Sequence, residues 1–342
     1  MRMRLYIMVY KRYEKVFILI SYICNNNDQN EKRISGNALG TTYQIIYFDD
    51  LDEEVFTKDM DSLLYAVNSS LSTYQSDSDI SKLNAGDTTI VIDDMFTEVF
   101  QLSKKIHKES SGYFDPTVGN LVNAYGFGSK KFTTVVDSTV IDSLTTYVGL
   151  DKVVLNKNRT ISKKHPEVYL EFNSIAKGYC LDRISTYLKE KDISNFLIEL
   201  GGELVASGSK QPENKLWVAG IEEPLEDGSR AIAKTVKLKD IAMATSGNYR
   251  KYKIDSLSGQ KYVHTINPLS GFPEQNDMLS ASVFAQTCAE ADAYATTFMT
   301  MGFKKSKQLL DSLQSIDAYL MYLNTDNEIE VYVTKGIEPF IN

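Results

Sequence analysis

Apolar positions along the chain switch repeatedly between a period of two and a period near 3.6, which predicts strands and helices interleaved along one polypeptide. Residues 36–48 (GNALGTTYQIIYF) alternate aromatic and β-branched residues behind glycine breaks, as expected of a strand entered through a close turn. Over 50–74, Val55, Leu63, Leu64 and Val67 recur at helical offsets, with acids gathered at the start. A polar, loop-like stretch, STYQSDSDISKLN, follows. Phe96, Val99, Phe100, Ser103 and Ile106 then mark a second amphipathic helix ending at His107, where a solvated or capping histidine is expected. Residues 110–128 (SSGYFDPTVGNLVNAYGFG) are too rich in turn formers to be regular throughout, and 133–169 is short and mixed in pattern. Residues 170–188 (LEFNSIAKGYCLDRISTYL) pass from a short strand into a helix with Ile175, Tyr179, Ile184 and Leu188 inward. Residues 196–208 form two strands joined at Gly201 and Gly202, and 216–221 supplies another carrying Trp217. Residues 288–302 (CAEADAYATTFMTMG) predict a small-residue helix, 304–313 another helix, and AYLMYL with EIEVYV a hairpin across 324–327.

No repeat, low-complexity linker or Pro/Ser-rich boundary divides this body. The pattern therefore predicts a single α+β domain over residues 35–342, with strands and helices interleaved irregularly. Ahead of it, residues 1–24 combine a basic head (Arg2, Arg4, Lys11, Arg12, Lys15) with the apolar run VFILISYIC, and a polar segment over 25–34 reads as a linker. A basic head and a greasy stretch too short to span a bilayer describe an export signal. Cys24 at its edge resembles a lipoprotein acceptor, although Ile23 stands where such signals carry a small residue; a buried first strand or helix is the alternative reading.

Composition narrows the partners. The formal charge is -8 with acids and bases interspersed, which excludes a nucleic-acid partner held by a basic field. The 3 cysteines (Cys24, Cys180, Cys288) are odd in number and far apart, so neither a disulfide framework nor a cysteine zinc site is expected. A hydrophobic content of 43% is ample for a core.

Candidate chemistry gathers at four places. Asp292 and Thr296 lie four apart, so a helix stacks a carboxylate and a hydroxyl on one face, both hard donors suited to magnesium. A tightly packed helix in which Asp292 merely hydrogen-bonds a neighbour is the competing reading. Lys177 falls in the first turns of its helix, where the dipole gives a cation nothing and favours an anion instead; the alternative is a plain surface lysine. His264 sits in the turn-rich HTINPLSG, and a loop of glycines and aromatics covers 110–128. There is no GxxxxGK[ST] loop, no complete GxGxxG fingerprint, no HExxH and no nucleophile elbow. Oxygen donors, a lysine, a histidine and glycine-rich turns suit metal-assisted chemistry on a phosphate ester.

The segments GNALGTTYQI, LSTYQSDSDISKLN, SSGYFDPTVGNLVNAYGFG, LEFNSIAKGY, ELGGE, ATSGNYRKY, HTINPLSG and CAEADAYATT stand in the order, and with the character, of the ApbE family of FAD:protein FMN transferases, which the chain resembles from Gly36 to its last helix. The resemblance implies an exported, often lipid-anchored bacterial enzyme that binds FAD without a Rossmann motif. It implies transfer of FMN from FAD to a threonine or serine hydroxyl of a target protein through a phosphoester bond, with Mg2+ required and AMP released. By resemblance, Asp292, Thr296 and the main-chain carbonyl of Ser174 are the metal ligands. Leu39, Tyr74, Asp115, Pro116, Thr117, Glu171, Lys177, Thr265 and Ile266 occupy FAD-contacting positions, and the acceptor is a subunit of a respiratory or electron-transfer complex. His264 is the candidate base for the incoming hydroxyl, with Asp292 as the alternative. Glu171 stands where the family carries aspartate, and Asn267 where aspartate precedes proline. Two other outcomes are compatible with the same residues: an FAD pyrophosphatase that gives the phosphorus to water, and a non-catalytic FAD-binding lipoprotein.

Overall fold

The computed structural model describes residues 31–49, 52–130, 137–225, 231–248, 252–254, 261–274 and 276–342. The signal-like segment and Cys24 lie outside them.

The strands are β1 (Glu31–Ala38), β2 (Thr41–Phe48), β3 (Val153–Leu155), β4 (Ile161–Lys163), β5 (Phe196–Leu200), β6 (Glu203–Ser207), β7 (Trp217–Glu222), β8 (Ile232–Leu238), β9 (Ile241–Gly247), β10 (Tyr252–Ile254), β11 (Lys261–Val263), β12 (Met278–Ala285), β13 (Asp317–Leu323) and β14 (Ile329–Val333). The helices are α1 (Glu53–Leu71), α2 (Asp79–Asn84), α3 (Asp94–Glu109), α4 (Gly119–Ala124), α5 (Ser138–Thr145), α6 (Ala176–Glu190), α7 (Cys288–Met301) and α8 (Phe303–Ser312). Eight strands form one sheet in the order β1-β2-β5-β6-β9-β12-β13-β14, antiparallel at every step. This is the α+β class expected from the pattern.

The sheet is buried on both faces, and its strands sort side chains by the period of two. Val205, Ala242, Ala244, Val283 and Leu320 join the larger core with α1, α3, α6 and α7. Their neighbours Ala206, Met243, Phe284, Tyr319 and Met321 face the opposite side, packing with Trp217, Ile221, Val236 and Leu238 of the β7–β8 hairpin. Helix α7 is buried nearly all round, so it reads as a core helix rather than an amphipathic one. Alanines at 289, 291, 293 and 295 let it lie close to the small residues of β9 and β12 on one side and to α6 on the other. The closest approach is at Gly178, where a Cβ would stand 2.2 Å from the Cys288 carbonyl oxygen.

Three segments differ from the sequence expectation. Residues 36–48 belong to a hairpin rather than to one strand, because Leu39 (φ 46) and Gly40 (φ 76) make a two-residue turn of the kind that matches strand twist. Strand β1 accordingly starts at Glu31, inside the stretch taken as linker. The polar stretch after α1 contains α2, whose N-terminus is capped by Ser78 accepting from the Ser81 amide at 3.2 Å. Finally, the short strand expected ahead of α6 is not formed, because the Ile175 and Ala176 amides turn back to the Phe172 carbonyl (3.0 and 2.8 Å).

Candidate active site

The helix pair α6–α7 packs against β6, β9 and β12 and buries Asp292. Asp292 points from α7 at the start of α6, where its Oδ2 accepts the Gly178 amide at 3.1 Å. The ladder of α6 begins with the Tyr179 amide on the Ile175 carbonyl (2.9 Å), and the Gly178 amide goes to Asp292 instead of back along the helix. The Ser174 carbonyl, one position earlier, is thereby not consumed by the ladder. The N-cap residue, Ile175, supplies no side-chain acceptor, so Asp292 from α7 holds this N-terminus instead. Thr296, one turn beyond Asp292, places its Oγ1 3.5 Å from Ser246 Oγ at the end of β9.

Lys177, in the first turn of α6, pairs with Glu203, which opens β6 directly after the Gly201–Gly202 turn. Burial holds the Glu203 carboxyl up at about 7 despite the ammonium of Lys177. Asp292 is likewise raised by burial, against the pull of Lys177 and the Gly178 amide. Burial works against the Lys177 charge, but Glu203 and Asp292 together outweigh it and hold its pKa above the ordinary lysine value. Two buried carboxylates thus face one lysine, and Glu203 Oε2 is a buried oxygen without a hydrogen-bond partner among the described residues. Burial drives both carboxyls toward the protonated form, and a cation bound beside them would hold them ionised. The donor set on the open side is carboxylate, hydroxyl and main-chain carbonyl, all hard oxygens, which fits magnesium.

Two other groups of expected residues flank this junction. The Pro116 carbonyl accepts the Glu171 amide at 2.8 Å, tying the Asp-Pro-Thr loop to the segment that leads into Ser174. Within that loop the polar side chains are already engaged. Asp115 accepts from the Thr117 amide (2.8 Å), Thr117 Oγ1 (2.6 Å) and the Leu150 amide (3.0 Å), while Thr117 Oγ1 accepts the Gly149 amide at 2.7 Å. His107 is half-buried and engaged: its Nδ1 donates to the Phe114 carbonyl (2.9 Å) and lies 3.3 Å from Asp115 Oδ2. Asp115 is raised by burial, with Thr117 and His107 opposing. Tyr74 is 63% exposed and stands beside Glu171 and Asn173, and Asn173 Nδ2 donates to Glu171 Oε2 at 3.1 Å.

On the other flank, Thr265 Oγ1 donates to Asn248 Oδ1 at 2.9 Å, two residues past Ser246, which brings the HTI segment to the Thr296 side of the junction. Ile266 is buried with Leu121, Val122, Ile141 and Val148, and the His264 ring meets Phe127 edge-on at 6.4 Å. Leu39 tips the β1–β2 hairpin, whose Thr41 side chain abuts Gly201. A cleft of about 470 Å³ opens beside Asp115, His107, Gly149, Pro268 and Leu269. Lys177, Asp292 and Thr296 do not line it, so it belongs to the loop and not to the α6–α7 junction.

Sequence reasoning assigned no role to Glu203 or Gly178. The signal for Glu203 was a charged residue opening a strand directly after a double-glycine turn; for Gly178 it was a glycine inside a helical pattern. Both sit in segments that the resemblance covers.

A buried carboxylate and a half-buried hydroxyl one turn apart on one helix, with a lysine in the first turn of the next, are residue types suited to a cation and a phosphate, as phosphoryl- or nucleotidyl-transfer enzymes use them. Comparison with known proteins narrows that class. The ApbE family profile matches residues 39–320. The FAD:protein FMN transferase of Haemophilus influenzae is 33% identical over 318 residues, covering 90% of each chain. That of Vibrio cholerae is 31% identical over 315 residues, covering 90% of this chain and 92% of its own. Among solved structures, the flavin transferase ApbE from Vibrio cholerae superposes with a TM-score of 0.81 at 29% identity, covering 91% of this chain and 99% of that one. The apo flavinyl transferase ApbE of Pseudomonas stutzeri gives 0.79 at 28% identity, covering 92% and 98%. This chain belongs to the ApbE family.

Proposed function

We propose that the chain is a magnesium-dependent FAD:protein FMN transferase that esterifies a threonine or serine hydroxyl of an acceptor protein and releases AMP. The observation that carries this reading is the junction of α6 and α7, where Asp292 holds the Gly178 amide and Lys177 is locked to Glu203 at a helix start whose own N-cap residue offers no acceptor. Asp292, Thr296 and the Ser174 carbonyl would hold the magnesium ion, which supplies a Lewis acid for the non-bridging phosphate oxygens.

The acceptor oxygen attacks the phosphorus of the FMN half, and the bond from that phosphorus to the bridging oxygen breaks. AMP leaves with the bonding electrons. Lys177, kept charged by its two carboxylates, offsets the negative charge that builds during attack. His264 takes the proton of the hydroxyl as its bond to phosphorus forms, with Asp292 as the alternative acceptor. Tyr74 and Leu39 would offer apolar surface to the rings of FAD, with Pro116, Glu171 and Thr265 flanking the junction, while Ile266, buried in the neighbouring apolar cluster, would offer only its backbone. The Asp115 and Thr117 side chains hold the loop from within, so the part of that loop offered to FAD is its backbone.

The test is incubation of the protein with FAD, Mg2+ and an acceptor domain, followed by in-gel flavin fluorescence after denaturation. Covalent fluorescence on the acceptor, abolished by EDTA and restored by Mg2+, is the expected result. Free FMN without label would make the chain a pyrophosphatase, and unchanged FAD would make it a flavin-binding protein. The same reading has the chain exported and anchored through a lipid on Cys24, with an acceptor subunit of an electron-transfer complex in the same compartment. Metabolic labelling with a radioactive fatty acid, lost in Cys24→Ala, tests the anchor.

A further inference from the structure

One carboxylate in the α6–α7 pair has no part in the chemistry above. Asp182, one turn beyond Gly178, reaches off α6 and binds the first turn of α7: Oδ1 accepts the Cys288 amide at 2.7 Å and Oδ2 the Ala289 amide at 2.8 Å. Helix α7 already has an ordinary cap, because Thr287 Oγ1 accepts the Glu290 amide at 3.3 Å. Asp182 therefore adds something beyond starting the helix. In the opposite direction Asp292, one turn into α7, binds the Gly178 amide in the first turn of α6. Each helix thus holds the other's N-terminal amides with a carboxylate placed four residues from its own end of the contact. Between the two bonds lies the Gly178–Cys288 crossing, where the backbones touch and no side chain intervenes. Such a clasp fixes how far α7 can slide along α6. Asp292 and Thr296 ride on α7, while Lys177 rides on α6 and Ser174 lies in the turn that leads into it, so sliding changes the distance between the two halves of the donor set directly. Sites of this kind need their groups held to within about half an ångström.

We propose that Asp182 is a positioning residue for the transfer site, setting the register of α7 against α6 and through it the affinity for the divalent cation. The inference rests on the transferase reading above. Asp182→Asn and Asp182→Ala, made in the full chain, are each compared with Thr287→Ala, which removes the ordinary cap from the same helix end. Two quantities are measured beside thermal stability: binding of Mn2+ by electron paramagnetic resonance, with no turnover involved, and the Mg2+ concentration giving half the maximal rate of flavin transfer. The Asp182 variants are expected to weaken Mn2+ binding by about tenfold or more, the range for removing a group that orients a metal ligand, and to raise the Mg2+ requirement by the same factor. Thr287→Ala is expected to lower the melting temperature while leaving both cation readouts within about twofold. Unchanged Mn2+ binding in soluble Asp182→Asn, or an equal loss in Thr287→Ala, would overturn the proposal. Failure of the wild-type chain to label any acceptor would sink the transferase reading instead, and the Mn2+ measurement would still decide the role of Asp182.

Discussion

Replacing Gly178 by alanine tests the geometry of the site most directly, because a single methyl group enters the tightest point of the helix pair. The added Cβ would stand 2.2 Å from the Cys288 oxygen, 2.5 Å from its carbonyl carbon and 2.8 Å from the Ala289 nitrogen. All three are backbone atoms, so no side-chain rotation can make room. Restoring ordinary contact requires α6 and α7 to part by roughly an ångström. Overpacking of this kind costs about 1–3 kcal/mol. Stretching the hydrogen bond from the Gly178 amide to the Asp292 carboxylate removes about 1.5–3 kcal/mol more. Alanine returns about 1 kcal/mol through its better helix propensity. The net is a loss of about 1.5–5 kcal/mol, which lowers the melting temperature by roughly 2–8 °C in a chain of this size. A displacement of that size at a reacting centre reduces the rate by about a hundredfold. Scanning fluorimetry and the in-gel flavin assay measure the two effects on one preparation. A variant that melts within about 1 °C of wild type and transfers flavin at half its rate or better would refute the close approach.

Three other perturbations have defined outcomes. Asp292→Asn keeps an oxygen for the Gly178 amide but removes the charge, so flavin transfer should fall at least about a hundredfold with little change in melting temperature; retained turnover would remove Asp292 from the metal site. Burial keeps Glu203 at about 7, above the ordinary glutamate value, so between about pH 4 and 7 the native state holds a proton that the unfolded chain has released, and wild-type stability falls as pH rises through that window. Glu203→Gln lacks this loss, and its melting temperature relative to wild type should therefore climb from about pH 5 to about pH 8; a constant difference would contradict the burial argument. Tyr74→Ala, at a 63% exposed position, should raise KM for FAD about two- to tenfold through lost ring contact while leaving thermal stability unchanged, and an unaltered KM would place Tyr74 outside the flavin site.

Much of the molecule was legible from periodicity. The helices over α1, α3, α6, α7 and α8 and the hairpin β13–β14 follow from spacing, because a helix or a strand pair is specified by residues a few positions apart. The β1–β2 hairpin was missed for a local reason: Leu39 occupies a left-handed conformation that its residue type does not advertise. His107 and Asp182 were missed for a different one. Their partners, Asp115 and the amides at 288 and 289, are a loop and a helix away, and a lone charged residue looks the same whether it meets water or a distant backbone.

The sequence by itself determined the α+β class, the placement of Asp292 and Thr296 on one helical face, the position of Lys177 at a helix start, and, through eight ordered segments, the family. Only the tertiary structure decided that the Gly178 amide binds Asp292, that Glu203 rather than solvent faces Lys177, and that the polar side chains of the Asp-Pro-Thr loop are spent on holding that loop. The physical reason is that periodicity records which face of an element is buried, whereas burial of charge, and the proton and cation affinities that follow from it, depends on what the neighbouring elements bring to that face.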